Sequence, residues 1–85
     1  MQTIEMLSSA NIGRAVVGYL GVPIRDLDVV ADPQVPGCYA IQVVAKGMGT
    51  VQFLLRGVPA ANVVAGDLEE VEFTTWPPKM REFAK

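Results

Sequence analysis

The chain reads as an α+β domain in which an N-terminal helix packs on an antiparallel meander of about four strands, open or curled into a small barrel. Three observations predict it. Two alternating runs, Cys38–Lys46 and Thr50–Arg56, are joined by Gly47-Met48-Gly49 in the manner of a β-hairpin. An apolar set at helical spacing, Ile12, Ala15, Val16, Tyr19 and Leu20, ends at Gly21 and Pro23. Two further alternating runs, Ile24–Ala31 and Val71–Thr75, lie on either side of the hairpin in the chain.

Taken in order, Thr3–Leu7 is open between a short strand and an irregular arm. Ser8 and Ser9 offer N-cap hydroxyls, so the helix is expected from Ala10 to Leu20. Gly21 suits the left-handed residue just past a helix end, and Pro23 blocks continuation. Gly13 and Gly18 lie within the helix, each costing on the order of 1 kcal/mol relative to alanine. Ile24–Ala31 follows as a strand with Leu27, Val29 and Ala31 on one face and Asp26, Asp28 and Val30 on the other. Asp32-Pro33 and Pro36-Gly37 bracket a turn. In the hairpin, Tyr39, Ile41, Val43 and Ala45 face Val51, Phe53 and Leu55 on the core side, while Gln42, Lys46, Thr50, Gln52 and Arg56 face out. Ala40, Val44 and Leu54 interrupt that outer face with a second, smaller apolar strip. Residues 59–64 read as a helical turn starting with proline or as a loop into a short strand, and Pro77-Pro78 stops the last strand. Residues 1–85 form a single small domain, with 77–85 as a C-terminal tail.

Composition narrows the function classes. Of the 85 residues, 51% are hydrophobic and 19% charged, more apolar than a small domain's core needs. The surplus is expected either in a well-filled core or under a partner or second copy. A net charge of −2 argues against nucleic acid as the main partner, since that binding draws on cations that displace counterions. The single cysteine, Cys38, makes no internal disulfide and suits a reducing, cytoplasmic setting. The N-terminus carries no signal-peptide pattern, and no apolar run reaches the length of a membrane span.

Most catalytic chemistry is unsupported. The chain has no histidine, so Cys–His and Ser–His nucleophiles and histidine-ligated zinc are absent from it. Gly47-Met48-Gly49 with Lys46 and Thr50 lacks the length of a phosphate loop and leads into a strand instead of a helix. The acidic group Asp67, Glu69, Glu70 and Glu72 lacks the ligand spacing of a calcium loop and reads as a solvated edge that discourages aggregation. No cofactor motif is present.

Two residue sets remain as candidate binding sites. Trp76, Lys79, Met80, Arg81 and Phe83 combine apolar anchors with cations, the composition of interface hot spots; the alternative is a terminal arm that caps the chain's own core. Arg14, Arg25 and Arg56 would hold the anionic groups of a nucleotide or other metabolite if copies of the chain assembled around a cleft. The expected function is therefore non-enzymatic: docking on another protein as an inhibitor, adaptor or accessory subunit, a profile found among small phage and mobile-element proteins. The alternatives are an oligomeric small-molecule binder and a small-barrel nucleic-acid binder. Self-association is expected through an exposed edge strand or the glycine-bearing back of the helix.

Overall fold

The structure, a computed structural model, describes residues 4–57 and 60–80. One helix, α1 (Ile4–Leu20), packs on a sheet of four strands, β1 (Ile24–Ala31), β2 (Tyr39–Ala45), β3 (Gly49–Leu55) and β4 (Glu69–Glu70). Every neighbouring pair is antiparallel, and the spatial order β1-β2-β3-β4 follows the chain. The sheet is open, so the barrel alternative does not hold. Its last strand has only two residues, too short to wrap back to β1.

The helix starts six residues earlier than the serine caps suggest. Ile4 to Leu7 continue straight into it, and Ser8 and Ser9 lie inside. Glu5, Met6 and Leu7 are strong helix formers, so propensity outweighs the capping signal. The other end is as expected. Gly21 takes φ +74°, and its N–H donates to the Val17 carbonyl at 2.8 Å. The hairpin turn closes with the Met48 N–H donating to the Ala45 carbonyl at 3.1 Å, and Gly47 supplies the positive φ of +79° that this turn needs.

The helix-side core contains Ile12, Val16, Ile41, Val43, Phe53 and Leu55, all fully buried, with Leu27, Val29, Tyr39 and Val51 packed around them. These are the inward positions read from the alternation. Tyr19 sets its ring edge-on to Phe53, centroids 5.1 Å apart, while remaining 44% exposed. Ala31, placed on the same face, is exposed.

The opposite face is also closed. Cys38, Ala40, Leu54 and Met80 form a second buried cluster, with Val30, Val35, Val71, Phe73 and Trp76 packed against it. Residues 71–80 cross this face as a strap. The expected last strand, Val71–Thr75, does not form; β4 stops at Glu70. Val71 and Phe73 nevertheless keep the predicted alternation, half-buried between exposed Glu70, Glu72 and Thr74. Gln52 holds the strap: its backbone carbonyl accepts from the Val71 N–H at 3.0 Å, and its side-chain Oε1 accepts from the Phe73 N–H at 2.8 Å. Its Nε2 donates to Gln42 Oε1 across the hairpin at 2.9 Å. The two glutamines expected in solvent are thus the polar latch of a second core. Residues 60–67 add two short 3-10 turns, Ala60–Asn62 and Ala65–Asp67, beside α1.

Candidate docking site

β1 is an edge strand, and its pairing defines which backbone groups are free. The Asp32 N–H donates to the Cys38 carbonyl at 3.0 Å, in the same register as Val30 opposite Ala40 and Asp28 opposite Gln42. Even-numbered residues therefore turn their backbone groups toward β2, and Leu27, Val29 and Ala31 turn theirs outward. The Leu27 N–H is satisfied by Asp26 Oδ1 at 3.0 Å. Among the described residues, nothing pairs with the N–H and C=O groups of Val29 and Ala31. A register shift between Ile24 and Asp26 leaves Arg25 bulged out of the ladder and ends this window.

The side chains of Asp26, Asp28, Val30 and Asp32 share the strap-side face of β1. Asp28 is exposed and accepts a short hydrogen bond from Trp76 Nε1. Asp32 is different. It is only 6% exposed, and its Oδ1 accepts from the Gln34 N–H at 2.8 Å, which shapes the turn leaving the strand. Its Oδ2 is buried without a hydrogen-bond partner among the described residues. A buried carboxylate oxygen left unpaired is costly and marks a place where a donor is missing.

Asp32 lines an open groove of about 430 Å³, formed by residues 30–33 on one side and 78–80 on the other. The volume is within the usual range for ligand sites. Its walls are mainly apolar, with Asp32 and Lys79 as the charged groups. Cys38 lies in the second core beside it, 1% exposed. Burial pushes its thiol pKa up, the Asp32 charge adds to this, and Arg56 opposes it. A buried thiol of raised pKa is a poor nucleophile, which removes Cys38 from candidate chemistry. Among the described residues no group of three or more acidic or cysteine side chains is arranged to hold a metal ion. A second groove of about 430 Å³ lies between β3 and residues 70–72, with Glu70 and Glu72 at its acidic rim and no cation in its lining.

The predicted site residues separate. Trp76 and Met80 are in the chain's own second core, Met80 at 6% exposure, and Lys79 is exposed at the rim of the first groove. Arg81 and Phe83 lie outside the described residues. Arg14 sits on α1, Arg25 on β1 and Arg56 just past β3, and none lines either groove. Arg14 donates to Asn11 Oδ1 at 2.7 Å along the helix, and Arg56 pairs with Glu69 at 3.5 Å between exposed side chains. The acidic group takes ordinary structural roles: Asp67 accepts from the Val64 N–H at 3.0 Å, and Glu69 and Glu70 form the exposed β4 edge. Sequence reading missed Asp32 as a site residue. Its signal was an acidic residue at the end of a strand, followed by proline, which reads as a turn and nothing more.

No helix among the described residues is long and apolar enough to cross a membrane. No family model matches the chain, and no curated protein or solved structure matches it.

Proposed function

We propose that this is a small non-enzymatic docking protein, an inhibitor, adaptor or accessory subunit, that engages another protein along the free edge of β1. The supporting observation is the backbone of Val29 and Ala31, unpaired among the described residues, next to a groove lined by Asp32. Strand addition to such an edge gives affinity through main-chain hydrogen bonds and selectivity through alternate side chains.

A foreign strand fits this edge better than a second copy. Two-fold antiparallel pairing centred on Asp28 sets that carboxylate against itself. Centred on Val29, it sets Asp26 against Asp32; centred on Val30, it sets Asp28 against Asp32. Like charges directly opposite one another destabilise a strand pair.

The test is affinity capture from the native host with wild-type and Ala31→Pro baits. Proline removes an outward N–H at an exposed position and leaves the β1–β2 ladder intact. A partner that is captured by the wild type and lost with Ala31→Pro, at unchanged bait melting temperature, is the expected result. Capture indifferent to the substitution would reject the reading. A small-molecule reading has one observation in its favour, an apolar groove with a single carboxylate, and the same samples analysed for co-purifying amines test it.

A further inference from the structure

The edge of β1 is chemically asymmetric, and that asymmetry specifies what kind of strand completes it. Along the strap-side face the row runs Asp28, Val30, Asp32, spaced by two. Asp28 is exposed, Val30 is half-buried against the second core, and Asp32 is nine-tenths buried with Oδ2 unpartnered. Beyond Asp32 the groove continues between Pro33 and residues 78–80.

We infer that β1 accepts an extended segment of a partner protein carrying a cation, an apolar residue and a second cation at alternate positions, with one cationic side chain lying in the groove and donating to Asp32. This inference rests on the docking reading above and names the chemistry of the partner. Each part of the row asks for its complement. A strand hydrogen-bonded to Val29 and Ala31 places its own side chains opposite Asp28, Val30 and Asp32. An apolar residue opposite Val30 extends the second core. A guanidinium or ammonium opposite Asp32 supplies the donor that Oδ2 lacks once the groove wall shifts to uncover that oxygen; the groove is mainly apolar, with Lys79 its other charge, so a charge-assisted hydrogen bond there is strong. A cation opposite Asp28 meets a carboxylate that Trp76 already holds in place. A neutral or acidic segment would leave the buried oxygen unpaired or set like charges together.

A displayed library of random heptapeptides, panned on the immobilised full-length chain, tests this. The expected enrichment is lysine or arginine at two positions four residues apart with an apolar residue midway between them. A selected peptide should bind roughly tenfold more weakly to Asp32→Asn, the size of one charge-assisted hydrogen bond. Asparagine retains the Oδ1 acceptor for Gln34, so the turn is preserved and melting temperature serves as the fold control. Selected peptides that lose binding to Ala31→Pro but lack the paired cations, or that bind Asp32→Asn equally well, would overturn this inference and leave strand docking intact. Peptides indifferent to Ala31→Pro would overturn both. The same alternation occurs in the chain's own sequence at Arg81, Phe83 and Lys85. Tighter peptide binding by a chain ending at Met80 would assign the edge to the protein's own terminus and also overturn the inference.

Discussion

Of the two faces of the sheet, one is closed by a helix and the other by ten residues that form neither α-helix nor β-strand. On the helix side, large aliphatic and aromatic side chains interlock: Ile12 and Val16 against Ile41, Val43, Phe53 and Leu55. On the strap side the buried residues contributed by β2 and the turn before it are small, Ala40 and Cys38, and closure depends on Leu54, Met80 and a few polar bonds. Gln52 anchors the strap by backbone and side chain, and Trp76 anchors it through Asp28. Stability and adaptability therefore reside on opposite faces of the sheet. Dispersion over a broad apolar contact makes the helix side the rigid scaffold. A strap without α-helix or β-strand of its own belongs to the less stable part of a fold, where binding surfaces are commonly found. The groove beside Asp32 is bounded by that strap.

The helix-side core is most sensitive at Phe53. Phe53→Ala is expected to destabilise the protein by about 3–5 kcal/mol, read from denaturant unfolding, because the ring is fully buried and its removal leaves a cavity under Tyr19. A loss below about 1 kcal/mol would mean that the helix side is not the scaffold. Met80→Ala should cost less, about 2 kcal/mol, since its surroundings can collapse onto the gap. Its distinguishing readout is hydrogen exchange: the Val71 and Phe73 amides should speed up while Val43 stays protected. Uniform acceleration across both faces would show that the two cores unfold as one unit. Deleting 79–85 includes this loss, so such a truncation tests folding as well as binding.

Gln52→Ala removes the acceptor for the Phe73 N–H and the donor to Gln42, and should cost about 1–2 kcal/mol, again with strap amides affected before those of the helix. Gly18→Ala should stabilise by about 0.5–1 kcal/mol: the added methyl would meet Ala65 Cβ at an ordinary 3.7 Å, and the helix loses a flexible residue. An unchanged or lower melting temperature would show that the helix back needs its glycine.

The smallest effect is in pH. The folded Cys38 thiol has its pKa raised, chiefly by burial, so the unfolded chain releases that proton first as pH rises. The folded state then binds more protons than the unfolded state, and stability falls above the ordinary thiol pKa. Cys38→Ala should flatten this part of the stability curve, measured by urea titration at neutral and alkaline pH. An identical slope in both proteins would place the thiol in contact with solvent.

Several elements were legible because their signals are local. The bounds of β1 match the alternating run, and the core-side residues of β2 and β3 follow from period two. Gly21 takes positive φ at the helix end, and Gly47 and Gly49 take it around the hairpin turn. The helix start was misjudged because two serines resemble a cap when the preceding residues are read without their helix propensity. The last strand shortened because Val71–Thr75 finds its partners in Gln52 and the second core instead of a full ladder. The apolar strip at Ala40 and Leu54 was visible, but what covers it was not. Trp76 and Met80 have a composition that suits a foreign interface and the chain's own core equally well.

The amino-acid order by itself determined the strand faces, the turns and the exclusion of histidine chemistry, because each depends on neighbours within a few positions or on composition. The tertiary structure was needed to show that both sheet faces are covered, that no described residue pairs with the outer edge of β1, and that Asp32 is buried with an oxygen unpaired among the described residues. Those facts depend on residues 70–80 returning across a sheet begun more than forty positions earlier. Long-range closure decides burial, and burial turns an ordinary turn-forming aspartate into a candidate recognition group.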